Sequence, residues 1–149
     1  MTTKSIIYTS LIRGDFTLHS GQKSSYLFDV MKLIKNPDFL LDFHDFTRGN
    51  FLVGIELGGA ILAAIDGGYT KDFAIIRKDG TIYGSPIPKE YVLLDDVVTT
   101  ENSLRTATTQ LARQLGGIGH YPNEIKCIVD RRGKENKSLH IESMLECRE

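Results

Sequence analysis

Four short runs of apolar residues constrain this chain more than anything else in it: FLVGI at 51–55, DFAIIR at 72–77, YVLLD at 91–95 and EIKCIVD at 124–130. None alternates apolar with polar residues, as a strand with one wet face would. Continuous runs of this length belong to strands covered on both sides. Between them lie segments of helical character. ELGGAILAAID opens on a glycine turn, and NSLRTATTQLARQLGG places Leu104, Ala107, Leu111, Ala112 and Leu115 on one face, with Asn102 or Ser103 as its cap. Buried strands that alternate with helices predict an α/β fold with a parallel sheet.

The segment before residue 51 reads differently. Ile6, Ile7, Leu11 and Ile12 have helix-like spacing over 3–13, ended by Gly14. Residues 15–30 predict two strands about a turn at Ser20-Gly21. Asn36-Pro37 is a helix start, an N-cap followed by proline at the first position, with Phe39, Leu40, Phe43 and Phe46 on one face. At 149 residues the chain has the length of one domain, with residues 1–35 as a small hood and 36–149 as the α/β core. That size buries roughly 70% of the surface its unfolded chain exposes.

Composition removes several classes of function. A net charge of −1 gives no global attraction to a polyanion. The densest basic run, DRRGKENK at 130–137, has interleaved acids and no aromatics, so a solvated loop is expected there and no nucleic-acid partner. Two cysteines, Cys127 and Cys147, suggest neither a disulfide framework nor a metal cluster, which points to a reduced, cytoplasmic setting. No run approaches the roughly 18 apolar residues of a membrane span, and the first residues lack a signal-peptide core.

Ligands of parallel α/β sheets sit beyond the carboxyl ends of the strands, so the residues there carry the functional question. Asp95 and Asp96 follow an apolar run directly. A buried carboxylate is costly unless paired or hydrogen-bonded, and two in succession suggest a site. The turn of Val97, Val98, Thr99, Thr100 and Glu101 leads to Asn102 and Ser103 at a helix amino terminus, where unpaired N–H groups and the dipole suit a phosphate. The aspartates would accept hydrogen bonds from hydroxyls or act through a bound Mg²⁺. Together these features suggest a sugar phosphate. A purely structural capping role for Asp95 and Asp96 is the alternative. The acid motif of P-loop nucleotidases is excluded, since no G-x-x-x-x-G-K-[ST] is present. Glu56, Leu57, Gly58 and Gly59 form a second candidate anion loop, and Arg77 and Lys78 stand at another strand end.

These residues lie in motifs with a familiar order. VLLDDVVTTENS at 92–103 resembles the phosphoribosyl pyrophosphate signature of type I phosphoribosyltransferases. GDFTLHSGQKSSYLFD at 14–29 is similar to the substrate hairpin of orotate phosphoribosyltransferases, LVGIELGGAILAA to their pyrophosphate loop, RKDGTIYG to their mobile catalytic loop, and CIVDRRG to their strand ending in Asp-Arg. The resemblance covers nearly the whole chain. It implies transfer of a phosphoribosyl group to orotate with Mg²⁺, or, as the alternative, a catalytically weak paralogue that senses phosphoribosyl pyrophosphate or a nucleotide. Asp95 and Asp96 would hold the ribose hydroxyls, and 97–103 the 5-phosphate. Residues 56–59 with Arg77 and Lys78 would hold the pyrophosphate. Thr99 and Arg131 would meet the orotate carboxylate, with the Leu27 and Phe28 backbone and the Phe28 ring near the pyrimidine.

Two positions depart from the family pattern. Thr81 stands where the mobile loop has its lysine, with Tyr83 in place of a histidine, and the loop from Arg77 to Lys89 is short. Glu101 replaces a glycine of the signature, and its side chain is expected to point to solvent, since helix starts tolerate acids. The family's loop works across a dimer interface, so a homodimer is expected. Leu57, Ile61, Leu62 and Ile65, spread around one helix, support that expectation.

Overall fold

The apolar runs lie side by side in one sheet, as their lack of alternation requires. The structure, a computed structural model, describes residues 1–18, 20–70, 72–116 and 121–147. Strands β3 (Leu52–Ile55), β4 (Phe73–Ile76), β6 (Val92–Val98) and β7 (Glu124–Asp130) are the four expected ones. Two more join them, β5 (Ile82–Gly84) and β8 (Glu142–Glu146), in the order β5-β4-β3-β6-β7-β8. Every pairing is parallel except β4 with β5.

Helix α3 (Gly58–Thr70) follows β3, and α4 (Asn102–Leu115) follows β6. The two helices cover opposite faces. Leu62 and Ala63 of α3 pack with Leu94, Phe39, Phe43 and Ile128. Leu104, Ala107 and Leu111 of α4 pack with Leu93, Val53 and Ile76. Leu94 and Leu104 are fully buried, and truncating either to alanine would cost about 2–5 kcal/mol. Gly116, with φ of 123°, ends α4. The sequence expectation carried that helix to Gly117, which lies outside the described residues.

The amino-terminal part corrects one expectation. Helix α1 covers only Thr3–Tyr8, and Leu11 and Ile12 begin β1 (Leu11–Thr17), which pairs antiparallel with β2 (Lys23–Phe28). The hydroxyls of Thr9 and Ser10 donate to the carbonyls of Ile6 and Ile7 and close the helix early. The hairpin turn is where Ser20-Gly21 predicts it, with Gly21 at φ 85°. His19 lies outside the described residues. Helix α2 (Pro37–Thr47) begins as read: the Asn36 side chain accepts from the N–H groups of Asp38 and Phe39.

One core residue has no counterpart in the sequence reading. Lys126 on β7 is fully buried; its ammonium donates to the Phe46 carbonyl at 2.5 Å and lies 4.7 Å from the Phe46 ring. Glu142 on β8 stands 3.5 Å away and is itself bonded by Arg48, so the buried charge is compensated.

Candidate active site

Asp95 and Asp96 do not end their strand. Val97 and Val98 extend β6 opposite Val129 and Asp130 of β7, and Val98 is buried. The turn expected at 97–101 is therefore only 99–101. Two β-branched residues at the end of an apolar strand favour continued pairing over a turn. Nor does Asn102 or Ser103 cap α4. They are its first two residues, and Glu101 takes the N-cap position with φ −88° and ψ 3°. Thr99 and Thr100 are half-buried at the mouth of this helix amino terminus. The N–H groups of the first turn have no intrahelical acceptor, so an anion there would be well met.

The acidic pair is held by its own backbone. The Asp96 N–H donates to Asp95 Oδ1 at 2.9 Å, and the Val97 N–H to Asp96 Oδ1 at 2.8 Å. Burial, and then the neighbouring Asp96 charge, push the Asp95 carboxyl well above the usual carboxylate range. Asp96 lies under the loop that opens α3. A Cβ on Gly58 would run into the Asp96 carboxylate, and one on Gly59 into the Leu94 carbonyl. The close approach that these glycines permit is to β6, which sets the start of α3 against Leu94, Asp95 and Asp96. The Glu56–Leu57 peptide is cis, and the Leu57 side chain is 69% exposed.

Glu56 connects this loop to the next. Its carboxylate accepts the Lys78 N–H at 2.6 Å and lies 3.8 Å from Arg77 Nε. A hydrogen bond with Tyr83 and then the charge of Glu56 raise the Arg77 pKa. Where the resemblance implies a mobile loop, residues 77–81 form the tight turn of the β4–β5 hairpin. Arg77 and Thr81 bond across it, and the Thr81 N–H donates to the Asp79 carboxylate. Gln114 of α4 donates to the Gly80 carbonyl at 2.6 Å, and Gln110 reaches the Lys78 carbonyl at 3.5 Å. The polar face of α4 gives no hint of this pinning from its sequence alone.

Arg131 stands just past β7, and its N–H donates to the Val98 carbonyl at 2.7 Å. The expected solvated loop at 130–137 is not one at its start, because Asp130, Arg131 and Arg132 are all buried. The Arg131 guanidinium stacks 4.0 Å over the Tyr26 ring and donates to Ser24 Oγ at 2.8 Å, so it fastens the β1–β2 hairpin to the core. Leu27 is half-buried on that hairpin. Phe28 turns into the core, 3% exposed, with Tyr8 and Tyr26 rings about it. A cleft of about 510 Å³ opens on the hairpin between Asp15, Phe16, Thr17, Lys23, Ser24 and Ser25.

The largest correction concerns Glu101. Its side chain is 7% exposed and does not face solvent. It turns away from the 99–101 turn toward Arg132 and residues 138–139, which supply its hydrogen bonds. Among the described residues no group of three or more His, Cys, Asp or Glu side chains could hold a metal.

The arrangement has known counterparts. No protein-family model matches the chain. The orotate phosphoribosyltransferase of Methanococcus maripaludis is 32% identical over 143 residues, which cover 83% of this chain and 75% of that protein. The chain belongs to the orotate phosphoribosyltransferase family. The enzyme of that name from Picrophilus torridus is 30% identical over 145 residues, covering 88% of this chain and 85% of the relative. Among solved structures, orotate phosphoribosyltransferase from Aeropyrum pernix superposes with a TM-score of 0.76 at 23% identity, over 97% of this chain and 94% of that one. Adenine phosphoribosyltransferase from Thermoanaerobacter pseudethanolicus also shares the fold, with a TM-score of 0.66 at 14% identity, over 97% and 99%. The fold by itself therefore does not select the base. Membership of the orotate phosphoribosyltransferase family rests on the sequence relatives.

Proposed function

We propose that this chain transfers the phosphoribosyl group of phosphoribosyl pyrophosphate to orotate, giving orotidine 5-phosphate and pyrophosphate in pyrimidine nucleotide biosynthesis. The observation that carries this reading is the junction of β6 with α4. There an acidic pair near the end of β6 is joined by Val97, Val98 and the short 99–101 turn to a helix amino terminus, in a chain of this family. Asp95 and Asp96 accept from the ribose hydroxyls, and the N–H groups of 99–103 take the 5-phosphate. The 56–59 loop with Arg77 and Lys78 holds the pyrophosphate. A ring nitrogen of orotate bonds to C1 as the C1–O bond to pyrophosphate breaks through an oxocarbenium-like transition state, and the proton of that nitrogen passes to water or to the departing pyrophosphate. Catalysis on this account is positioning and charge stabilisation, without a protein nucleophile. On this reading Arg131 and Thr99 meet the orotate carboxylate.

Mg²⁺ fits the donor set. Two neighbouring carboxylates are too few for a dedicated protein cage, but Mg²⁺ is commonly held by one or two carboxylates together with substrate phosphates. Bound there, the ion would neutralise charge on the departing pyrophosphate. The remaining proposals are a homodimer and a cytoplasmic location. Among the described residues no helix is long and apolar enough to cross a membrane.

Incubating the pure protein with orotate, phosphoribosyl pyrophosphate and Mg²⁺ tests the reading. Loss of orotate absorbance with pyrophosphate release is expected, and the absence of both at high enzyme concentration would overturn it. A second reading, a sensor that binds phosphoribosyl pyrophosphate with little turnover, is favoured by one observation: Thr81 supplies no cation, and its turn is pinned to α4. Tight binding without turnover is its signature.

A further inference from the structure

We propose that the Glu101 side chain is a positioning group that holds the 5-phosphate loop in its binding shape from behind, through a buried carboxylate clamp, and does not itself touch the ligand. The proposal rests on the phosphoribosyl reading of that loop.

The clamp is built from segments far apart in sequence. Glu101 Oε2 accepts from Arg132 Nη1 at 2.6 Å and from the N–H groups of Ser138 and Leu139, each at 2.8 Å. Oε1 accepts from Arg105 Nη2 at 2.8 Å and from Ser138 Oγ at 2.6 Å. Five donors on one carboxylate exceed its roughly four lone-pair sites, so both oxygens are fully engaged by the clamp. Its charge is matched as well. Arg132, 2% exposed, also donates from Nε and Nη2 to the two oxygens of Asp130, at 3.0 and 2.8 Å. A bare glutamate at this helix start would repel a phosphate, whereas one ion-paired to Arg132 and Arg105 does not.

The backbone explains why the residue fits. At φ −88° Glu101 is not in the left-handed region, so nothing in the chain's path demands the family's glycine. A glycine there would leave the 99–101 turn with greater freedom in the unbound protein, and ordering it would weaken binding. Glu101 fixes the same turn by joining its last residue to 132–139. The order that a short glycine loop must acquire on binding is present beforehand.

The experiment turns on the sign of one substitution. If glycine is what a phosphate needs at this position, Glu101→Gly tightens phosphoribosyl pyrophosphate binding. If the clamp sets the loop, the same change weakens it. We expect Glu101→Gly to raise both the calorimetric Kd and the KM for phosphoribosyl pyrophosphate about tenfold or more. kcat and the KM for orotate should move less than about twofold, because an interaction shared by ground and transition states changes KM alone. Glu101→Gln keeps one oxygen to accept from Arg132 and the 138–139 N–H groups but sets its NH2 against Arg105, so it should restore part of the binding, at least about threefold tighter than Glu101→Gly.

Hydrogen exchange provides a readout without ligand: amides of 99–103 and 138–139 should lose protection in Glu101→Gly. Unchanged or tighter binding in that variant, or unchanged protection, overturns the proposal. Should it fail to fold, Ser138→Ala removes one clamp contact at an exposed residue. A severalfold rise in KM for phosphoribosyl pyrophosphate at unaltered melting temperature is then expected, and no rise overturns the proposal. Failure of the parent protein to bind phosphoribosyl pyrophosphate would defeat the phosphoribosyl reading itself. The exchange comparison would still judge the clamp.

Discussion

Adjacent carboxylates with different surroundings predict different responses to the same substitution. Asp95 is raised by burial and by Asp96, so its ionised form is strained in the free protein. Asp95→Asn removes that repulsion and should leave the melting temperature equal or higher. Asp96→Asn keeps the shape beneath Gly58 but loses a charged acceptor, and each change should weaken phosphoribosyl pyrophosphate binding by about 10- to 100-fold. Calorimetry on the two variants checks this, and intact binding in both would leave the acids a structural role. The opposite shift governs acid stability. At Glu101 burial acts to raise the pKa, but hydrogen bonds from Ser138, Leu139 and Arg105 outweigh it and hold the carboxyl well below its usual range. Asp130 is depressed in the same sense, its burial outweighed by Arg132. With folded values below unfolded ones, the unfolded chain binds more protons as pH falls through about 4. The stabilisation is therefore complete above that range and is lost progressively toward the depressed values. Melting curves from pH 6 to 2 should fall more steeply for the parent than for Glu101→Gln.

At the scale of elements, the β4–β5 hairpin carries Thr81, one of the two positions that depart from the family pattern. Its turn is tight and fastened to α4 by Gln110 and Gln114, so a side chain at position 81 is carried on a fixed support. Thr81→Lys should therefore raise the transferase rate by about tenfold or more, since one preorganised stabiliser of developing charge is typically worth 10²–10³. A flat rate with intact binding would place the limit elsewhere. The four central strands and both covering helices were legible because burial on two faces leaves an unbroken apolar run. The edge strands were not. β5 has only three residues, and β8, ESMLE, carries a glutamate at each end, as an edge exposed to water allows. The end of β6 was misread for a related reason: Asp95-Asp96 looks like a strand terminus, but pairing with β7 carries the chain two valines further. Glu101 was illegible in kind. Apart from Arg105, one helical turn on, its partners lie 31–38 residues away, and no local pattern distinguishes a solvated acid at a helix start from a buried one.

At the scale of the whole molecule, α3 carries more apolar surface than its own domain covers. Leu62 and Ala63 are fully buried and Ala60 nearly so, which accounts for the inner face. Leu57 is exposed, and Ile61, Ala64 and Ile65 are only half-buried. Positions 57, 61, 64 and 65 recur at helical spacing and make one stripe along the outside. Three large aliphatic side chains in such a stripe are what an interface leaves when its partner is removed, and a two-fold pair is the commonest way to cover a self-complementary strip. The protein should therefore sediment as a dimer at micromolar concentration. Ile61→Glu and Ile65→Glu each place a charge on the stripe without entering the core beneath, so they should shift the protein to monomer while its far-ultraviolet dichroism stays unchanged. A parent protein that sediments as a monomer would leave the stripe a solvent-facing surface, and it would confine the cations of Arg77 and Lys78 to the site of their own chain. Dissociation of the dimer by Ile61→Glu with loss of activity would instead mean that the site is complete only in the pair.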